Sequence, residues 1–401
     1  MMTLTPTHTK LASYVGYLTQ AITINFAPLL FVTFQREYGL TLAQIGSIIA
    51  VGFLVQFSAD AMAAKFGSRL PPRATVITAH LCAVIGLCSM ALLPDLLPSP
   101  YLGLMLANAL STLGGGLIEV EISPIVEACP TGGKRAAMSL LHSFYSWGFA
   151  GTVLLSTLFF TLFGVSQWRI LACLMAIVPA IGALAFCFVP IYTLEADEAE
   201  ANTPFSTLLR SGAFWLFLLL MFCAGAAEQI MGQWTSGFAE TGLGVSKTLG
   251  DLLGPCAFAI LMGTARILYA AVSRRLSLHR YMTVCALLCT LTYLIAALSP
   301  LPVISLIGCA SCGYTIAVLW PGTYSLSAAR MPHGGVRMFA MLALAGDLGG
   351  IVGPFIASSI ATRFNDDLRP AFLFSVIFPL TISVSLILFY RKHKKINRNR
   401  T

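Results

Sequence analysis

Charge is what this sequence lacks. Only 10% of its 401 residues are Asp, Glu, Lys or Arg, while 57% are hydrophobic; an ordinary soluble domain carries roughly 25% charged residues. So few polar groups cannot cover a water-facing surface, and the surplus apolar area calls for lipid as solvent. The chain also has no glycine loop followed by Lys-Ser/Thr, no HExxH and no nucleophile elbow. The enzyme classes built on those motifs are excluded, and neither a cofactor nor a metal is expected. No basic stripe interleaves with aromatics, so the net charge of +8 does not read as nucleic-acid binding. No cleavage-like site follows the polar stretch from Met1 to Lys10, and no signal peptide is read there. The eleven cysteines do not form a disulfide framework. Ten lie inside apolar runs and Cys129 ends one, where a thiol behaves as a small hydrophobe. Cys309 and Cys312 form a CxxC with no partner pair, which reads as packing rather than redox or metal chemistry.

The apolar runs are long. A membrane-spanning helix needs about 20 such residues, and the sequence predicts twelve, at 11–34, 41–63, 74–94, 100–127, 136–163, 167–191, 210–234, 248–273, 279–298, 301–328, 336–361 and 368–390. Composition breaks once, where Glu195, Asp197, Glu198 and Glu200 precede Pro204. That run reads as a solvated linker over 194–209, joining a six-helix bundle at 1–193 to a second at 210–401 with a basic tail. With the N-terminus inside, eighteen Lys and Arg fall in inner segments and five in outer ones. This asymmetry predicts that both termini are cytoplasmic, in a bacterial inner membrane. An internal repeat supports the same division. Pro130-Thr131-Gly132-Gly133-Lys134-Arg135 recurs 202 residues later as Pro332-His333-Gly334-Gly335-Val336-Arg337, after the fourth span of each half. The predicted fold is an all-α membrane protein of two pseudo-symmetric six-helix bundles.

Ionisable groups at membrane depth cost roughly 2.5 to 3.5 kcal/mol each on insertion scales, so they persist where they face a cavity or a partner. Glu119 is the leading candidate. Asn108, Thr112, Glu119 and Ser123 share one stripe of the fourth helix. Gly114, Gly115 and Gly116 permit close approach, and Pro124 frees the Val120 carbonyl. Glu121 lies about 200° further round the helix and reads as a partner for a neighbouring helix, through His142. On the seventh helix Glu228, Gln229, Gln233 and Trp234 combine an acid, amides and an aromatic face, a set suited to hydroxyls and a sugar ring. The same Trp and Gln could instead anchor the helix at the interface. Asp347, in Ala345-Gly346-Asp347-Leu348-Gly349-Gly350, reads as an acid in a tight helix seam, paired with Arg or Tyr. Asp60, at the inner end of the second helix, reads as a gating acid facing an arginine or as a snorkelling surface acid. Arg266, inside a span, requires a neutralising partner that the sequence does not name.

Twelve spans, two halves, both ends inside and an acidic central loop resemble the major facilitator superfamily over the whole chain. Its signature between the second and third helices, Gly-x-x-x-Asp-x-x-Gly-Arg-Lys, is degraded here to Ala63-Ala64-Lys65-Phe66-Gly67-Ser68-Arg69, with Asp60 one turn before the motif aspartate. Glu119-Val120-Glu121-Ile122-Ser123-Pro124 resembles the fourth-helix Glu-x-x-x-Asn-Pro of the fucose permease group. Leu141 to Gly148 and Ala227 to Trp234 resemble that group's fifth and seventh helices. The resemblance implies a sugar:proton symporter in which Glu119 is tied to sugar and proton. Ser123 replaces the asparagine, Tyr145 stands at a binding asparagine, and the first helix has only Gln20, Thr23 and Asn25 as polar central residues. Tyr324, beside Trp320-Pro321, is a further cavity candidate.

The functional expectation is a monomeric secondary transporter of a small polar solute, a sugar or a related compound, by proton-coupled alternating access. A carboxyl at membrane depth is cheaper to hold neutral than charged, which suits a proton carrier. The alternatives are an exporter of amphipathic compounds in the same fold and a non-transporting membrane sensor.

Overall fold

A computed structural model of the chain describes residues 4–66, 71–130, 134–192, 208–272, 276–331 and 335–398. All regular structure among them is helical. Twelve helices are long and apolar enough to cross a membrane: α1 Pro6–Tyr38, α2 Leu42–Met62, α3 Pro72–Leu96, α4 Pro100–Val126, α5 Leu140–Phe163, α6 Val165–Phe188, α7 Gly212–Gly242, α8 Lys247–Tyr269, α9 Leu278–Leu298, α10 Pro302–Arg330, α11 Met341–Arg363 and α12 Leu368–Phe389. Their limits fall within a few residues of the sequence reading at most ends. The exceptions have local causes. Helix α1 begins at Pro6 because Thr5 and His8 form a capping box and proline suits the first turn. Helix α7 runs on through a π turn at Phe238–Gly242. Most of the acidic linker, half of each repeat copy and the end of the degraded signature lie outside the described residues.

Six helices form each half, and an even number of crossings puts both termini at one end of the bundle, called here the terminal end. The opposite end is the far end. Within the first half α3 packs along α4 and α1 against α5; within the second α7 packs along α11 and α9 against α10. Apolar side chains that a soluble protein would hide point outward. Leu154, Leu155, Leu158 and Leu162 of α5, and Leu287, Leu288, Leu291 and Leu298 of α9, are exposed large hydrophobics, an arrangement that only a lipid surround makes favourable.

Between the halves, α2 packs along α11 and α5 along α8. An added Cβ at Gly46 would overlap the Ser358 side chain, and one at Gly350 would lie 3.6 Å from the Phe53 ring. The helices therefore run antiparallel in a register that carries Asp60, two turns beyond Phe53, to the neighbourhood of Asp347. At the α5–α8 crossing, Gly263 lets Ser146 approach, with 3.4 Å from an added Cβ to the Ser146 side chain.

The far end is closed by contacts between the halves. Arg36 of α1 pairs with Glu240 of α7 at 2.8 Å. Lys247 of α8 donates to the Leu29 carbonyl at 2.5 Å and lies 3.0 Å from Asp251, which also accepts from Ser236. Gln233 donates to the Ile24 carbonyl at 3.4 Å. The Ile24 acceptor is free because Pro28, four residues on, has no N–H to give it.

Candidate functional site

Three consecutive glycines on α4 bring the site together. Gly114 faces Ala79 and Ala83 of α3, Gly115 faces Thr23 of α1, and Gly116 faces Gln56 of α2, with an added Cβ at Gly116 only 3.0 Å from the glutamine chain. A side chain at any of them would push a neighbouring helix away. Because α1 and α2 come so close, Gln20 and Gln56 both reach Glu119. Their Nε2 atoms donate to the same oxygen, Glu119 Oε2, at 2.5 and 2.9 Å. Both glutamines are 4% exposed, whereas Glu119 is only half-buried. Glu119 also lies within the electrostatic reach of Asp347 and Glu228 from the other half.

The other residues of the polar stripe also point inward. Asn108 donates to the Ile48 carbonyl of α2 at 3.2 Å, and Ser123 bonds the Tyr17 hydroxyl at 2.7 Å. Tyr145 of α5 accepts from Asn25 at 3.4 Å and stands within the fields of Glu228, Glu119 and Arg266. Glu228, Tyr145, Tyr324 and Arg266 are each half-buried, and His142 is exposed although it packs edge-on against Tyr17 at 5.2 Å. The expected pairing of Glu121 with His142 is not made. Glu121 is buried on another face of α4, and His142 stands instead with Tyr17 and within reach of Arg266.

Arg266 has no carboxylate within ion-pair distance among the described residues. Its NH1 donates across the α5–α8 seam to Ser146 at 3.1 Å, and its Nε to the Ala317 carbonyl of α10 at 3.3 Å. That carbonyl is an orphan because Pro321 follows four residues later, and α10 breaks there. Glu228 is the acid that feels its charge. The partner that the sequence left unnamed is therefore a proline-freed carbonyl and a serine.

Asp60 departs from the gating-arginine reading, and Asp347 meets a carboxyl in addition to a tyrosine of the kind expected. Rather than facing arginine, the two carboxyls face one another across the α2–α11 seam at hydrogen-bonding distance, with Tyr324 of α10 alongside. The dense small residues around Asp347 do make a tight seam: Gly349 and Gly353 meet the backbone of Phe222 and Ala226 on α7. Gln229 accepts from Gln233 at 3.4 Å and is half-buried. Trp234 lies apart from this cluster. It is 1% exposed, donates to the Pro354 carbonyl at 3.2 Å and packs on Phe31 of the first half at 5.3 Å, inside the far-end closure. Gln56 was missed by sequence reasoning; its position one turn before Asp60 in an otherwise apolar helix is the signal that could have found it.

The profile of the Major Facilitator Superfamily matches residues 13–336 and again 256–401. No curated protein matches the sequence closely enough to count as a relative. Among solved structures, a bacterial homologue of the human lysosomal transporter Spinster, inward-facing and occupied, is similar over 96% of this chain and 97% of its own, at 14% identity and a TM-score of 0.77. The nucleoside transporter NupG is similar over 96% and 99%, at 14% identity and 0.76. The fucose:proton symporter FucP of E. coli covers 94% of this chain and 98% of its own, at 15% identity and 0.64. Identities this low speak to the fold. The chain belongs to the Major Facilitator Superfamily.

Proposed function

We propose that this superfamily member is a proton-coupled carrier of a small polar solute, a sugar or a related compound, working by alternating access across a bacterial inner membrane. The carrying observation is Glu119: a half-buried carboxyl held by two buried amides of its own half and within electrostatic reach of Asp347 and Glu228 of the other. A carboxyl so placed can accept a proton or a solute hydroxyl, and the movement of the halves alters what faces it. Asn25, Tyr145, Glu228 and Gln229 surround the same region with donors and acceptors suited to hydroxyls. The nucleoside and fucose specificities of the similar transporters support a polar solute with a ring and several hydroxyls. The excess of Lys and Arg in terminal-end segments supports cytoplasmic termini. On that orientation the closed far end is periplasmic. Trp234 and Gln233 then serve the periplasmic closure, and they meet solute only once it opens.

The test is uptake into proteoliposomes under an imposed pH gradient, with sugars and nucleosides as probes. Glu119→Gln keeps the side-chain shape and loses the titrating group. It is expected to abolish gradient-driven accumulation while retaining solute exchange at equal pH. Full accumulation by this variant would remove Glu119 from coupling.

A further inference from the structure

We propose that Asp60 and Asp347 form a second proton-binding site, distinct from Glu119, in which one proton shared between the halves fastens α2 to α11 near the terminal end. The inference rests on the alternating-access reading above, and its site is a different pair of residues. Asp60 belongs to the first half and Asp347 to the second, so their contact exists only while these helices are together. The seam register set by Gly46 with Ser358 and Phe53 with Gly350 places Asp60 within about a turn of Asp347 across the seam, and the two carboxyls meet there. Two ionised carboxylates at hydrogen-bonding distance repel. With one proton between them they make a charged O–H···O⁻ bond, among the stronger hydrogen bonds available.

Among the described residues, several buried oxygens near the pair have no donor. Asp60 Oδ1 is buried with no donor. Gln56, one turn earlier on α2, and Gln20 on α1 are both more than nine-tenths buried; each donates one N–H of its amide to Glu119, and each leaves its carbonyl oxygen without a donor. The titratable groups facing the pair are Glu119 from α4 and Tyr324 from α10, with Glu228 of α7 beyond Glu119. Arg266, the cation whose charge Glu228 feels, is directed at Ser146 and Ala317. Three oxygens of this cluster, on Asp60, Gln20 and Gln56, are buried without a donor, an environment that favours an added proton. Loss of the shared proton leaves two like charges on opposite halves, which drives α2 and α11 apart at this end. Uptake of a proton draws them together.

The test uses the full-length protein in nanodiscs, in a cysteine-free background with spin labels at the terminal ends of α2 and α11. The distance between them is measured by pulsed electron resonance across pH. In the parent the distance is expected to lengthen as pH rises. Asp60→Asn supplies an amide N–H to Asp347 in place of the proton and is expected to hold the short distance at every pH; Asp347→Asn is expected to do the same from the other side. A parent-like pH response in both variants would overturn the proposal, as would a distance that follows sodium at fixed pH. Glu119→Gln separates the two readings. It is expected to keep the pH-dependent distance while losing coupled uptake, so retained uptake sinks the coupling role of Glu119 alone, and a lost distance response sinks the shared-proton site alone.

Discussion

At the far end the halves meet through groups that satisfy one another. Arg36 finds Glu240, Lys247 bridges Asp251 and the Leu29 carbonyl, and Gln233 completes an acceptor that Pro28 left open. Near the terminal end, α2 and α11 bring two acids together, with unmatched amide oxygens close by. The first arrangement is charge-neutral in itself and closes without help. The second is complete only when protons are present. Two ends of one seam thus differ in whether closure depends on the solution, and a carrier that must open its two sides alternately needs that kind of asymmetry.

Substitutions at the far end should break the comparison in a graded way. The largest effect is expected from Lys247→Met, which leaves Asp251, 1% exposed, without its cation. Breaking one partner of a buried pair costs about 3–5 kcal/mol. The expected result is a lower unfolding temperature and faster alkylation from the far side of Cys256, which is buried close to this pair. Gly46→Val comes next. Its side chain would overlap Ser358, and overpacking costs about 1–3 kcal/mol, so the same alkylation assay should register a seam pried open without loss of fold.

Arg266→Lys should cost less stability, because only hydrogen bonds worth about 0.5–1.5 kcal/mol each are weakened. Lysine cannot serve Ser146 and Ala317 with a rigid fork. The expected outcome is slowed exchange with an unfolding temperature little changed. Arg36→Ala should do least. Its side chain is 70% exposed, and such pairs contribute at most about 1 kcal/mol. Its effect on alkylation should vanish in high salt, whereas that of Lys247→Met should persist.

What could be read beforehand follows from which information a single helix carries. The twelve spans were legible because apolar length is a property of each segment alone. The Glu119 stripe was legible for the same reason: Asn108, Glu119 and Ser123 all turn inward, as their spacing predicts. Pairing between helices was not. Asp60 was expected to meet arginine or to snorkel at the surface and instead meets Asp347, and Glu121 was expected to meet His142 and does not. Trp234 looks like a solute platform on its own helix, yet Phe31 and Pro354 enclose it from two others. These outcomes depend on rotation and register between helices distant in sequence, set by glycines whose neighbours the sequence does not name. Fragments of the pairing were present in the prolines. Pro28 and Pro321 each mark a carbonyl, at Ile24 and Ala317, that some other group has to claim.

The first of those prolines has a consequence for leakage. The Ile24 carbonyl takes its hydrogen bond from a residue of the opposite half, so separation of the far ends strips the bond while the helix itself has no replacement. A water molecule must then arrive in the same motion. Wetting of the outer vestibule and parting of its walls are in this way one event, and a dry, half-parted outer mouth is a configuration the backbone resists.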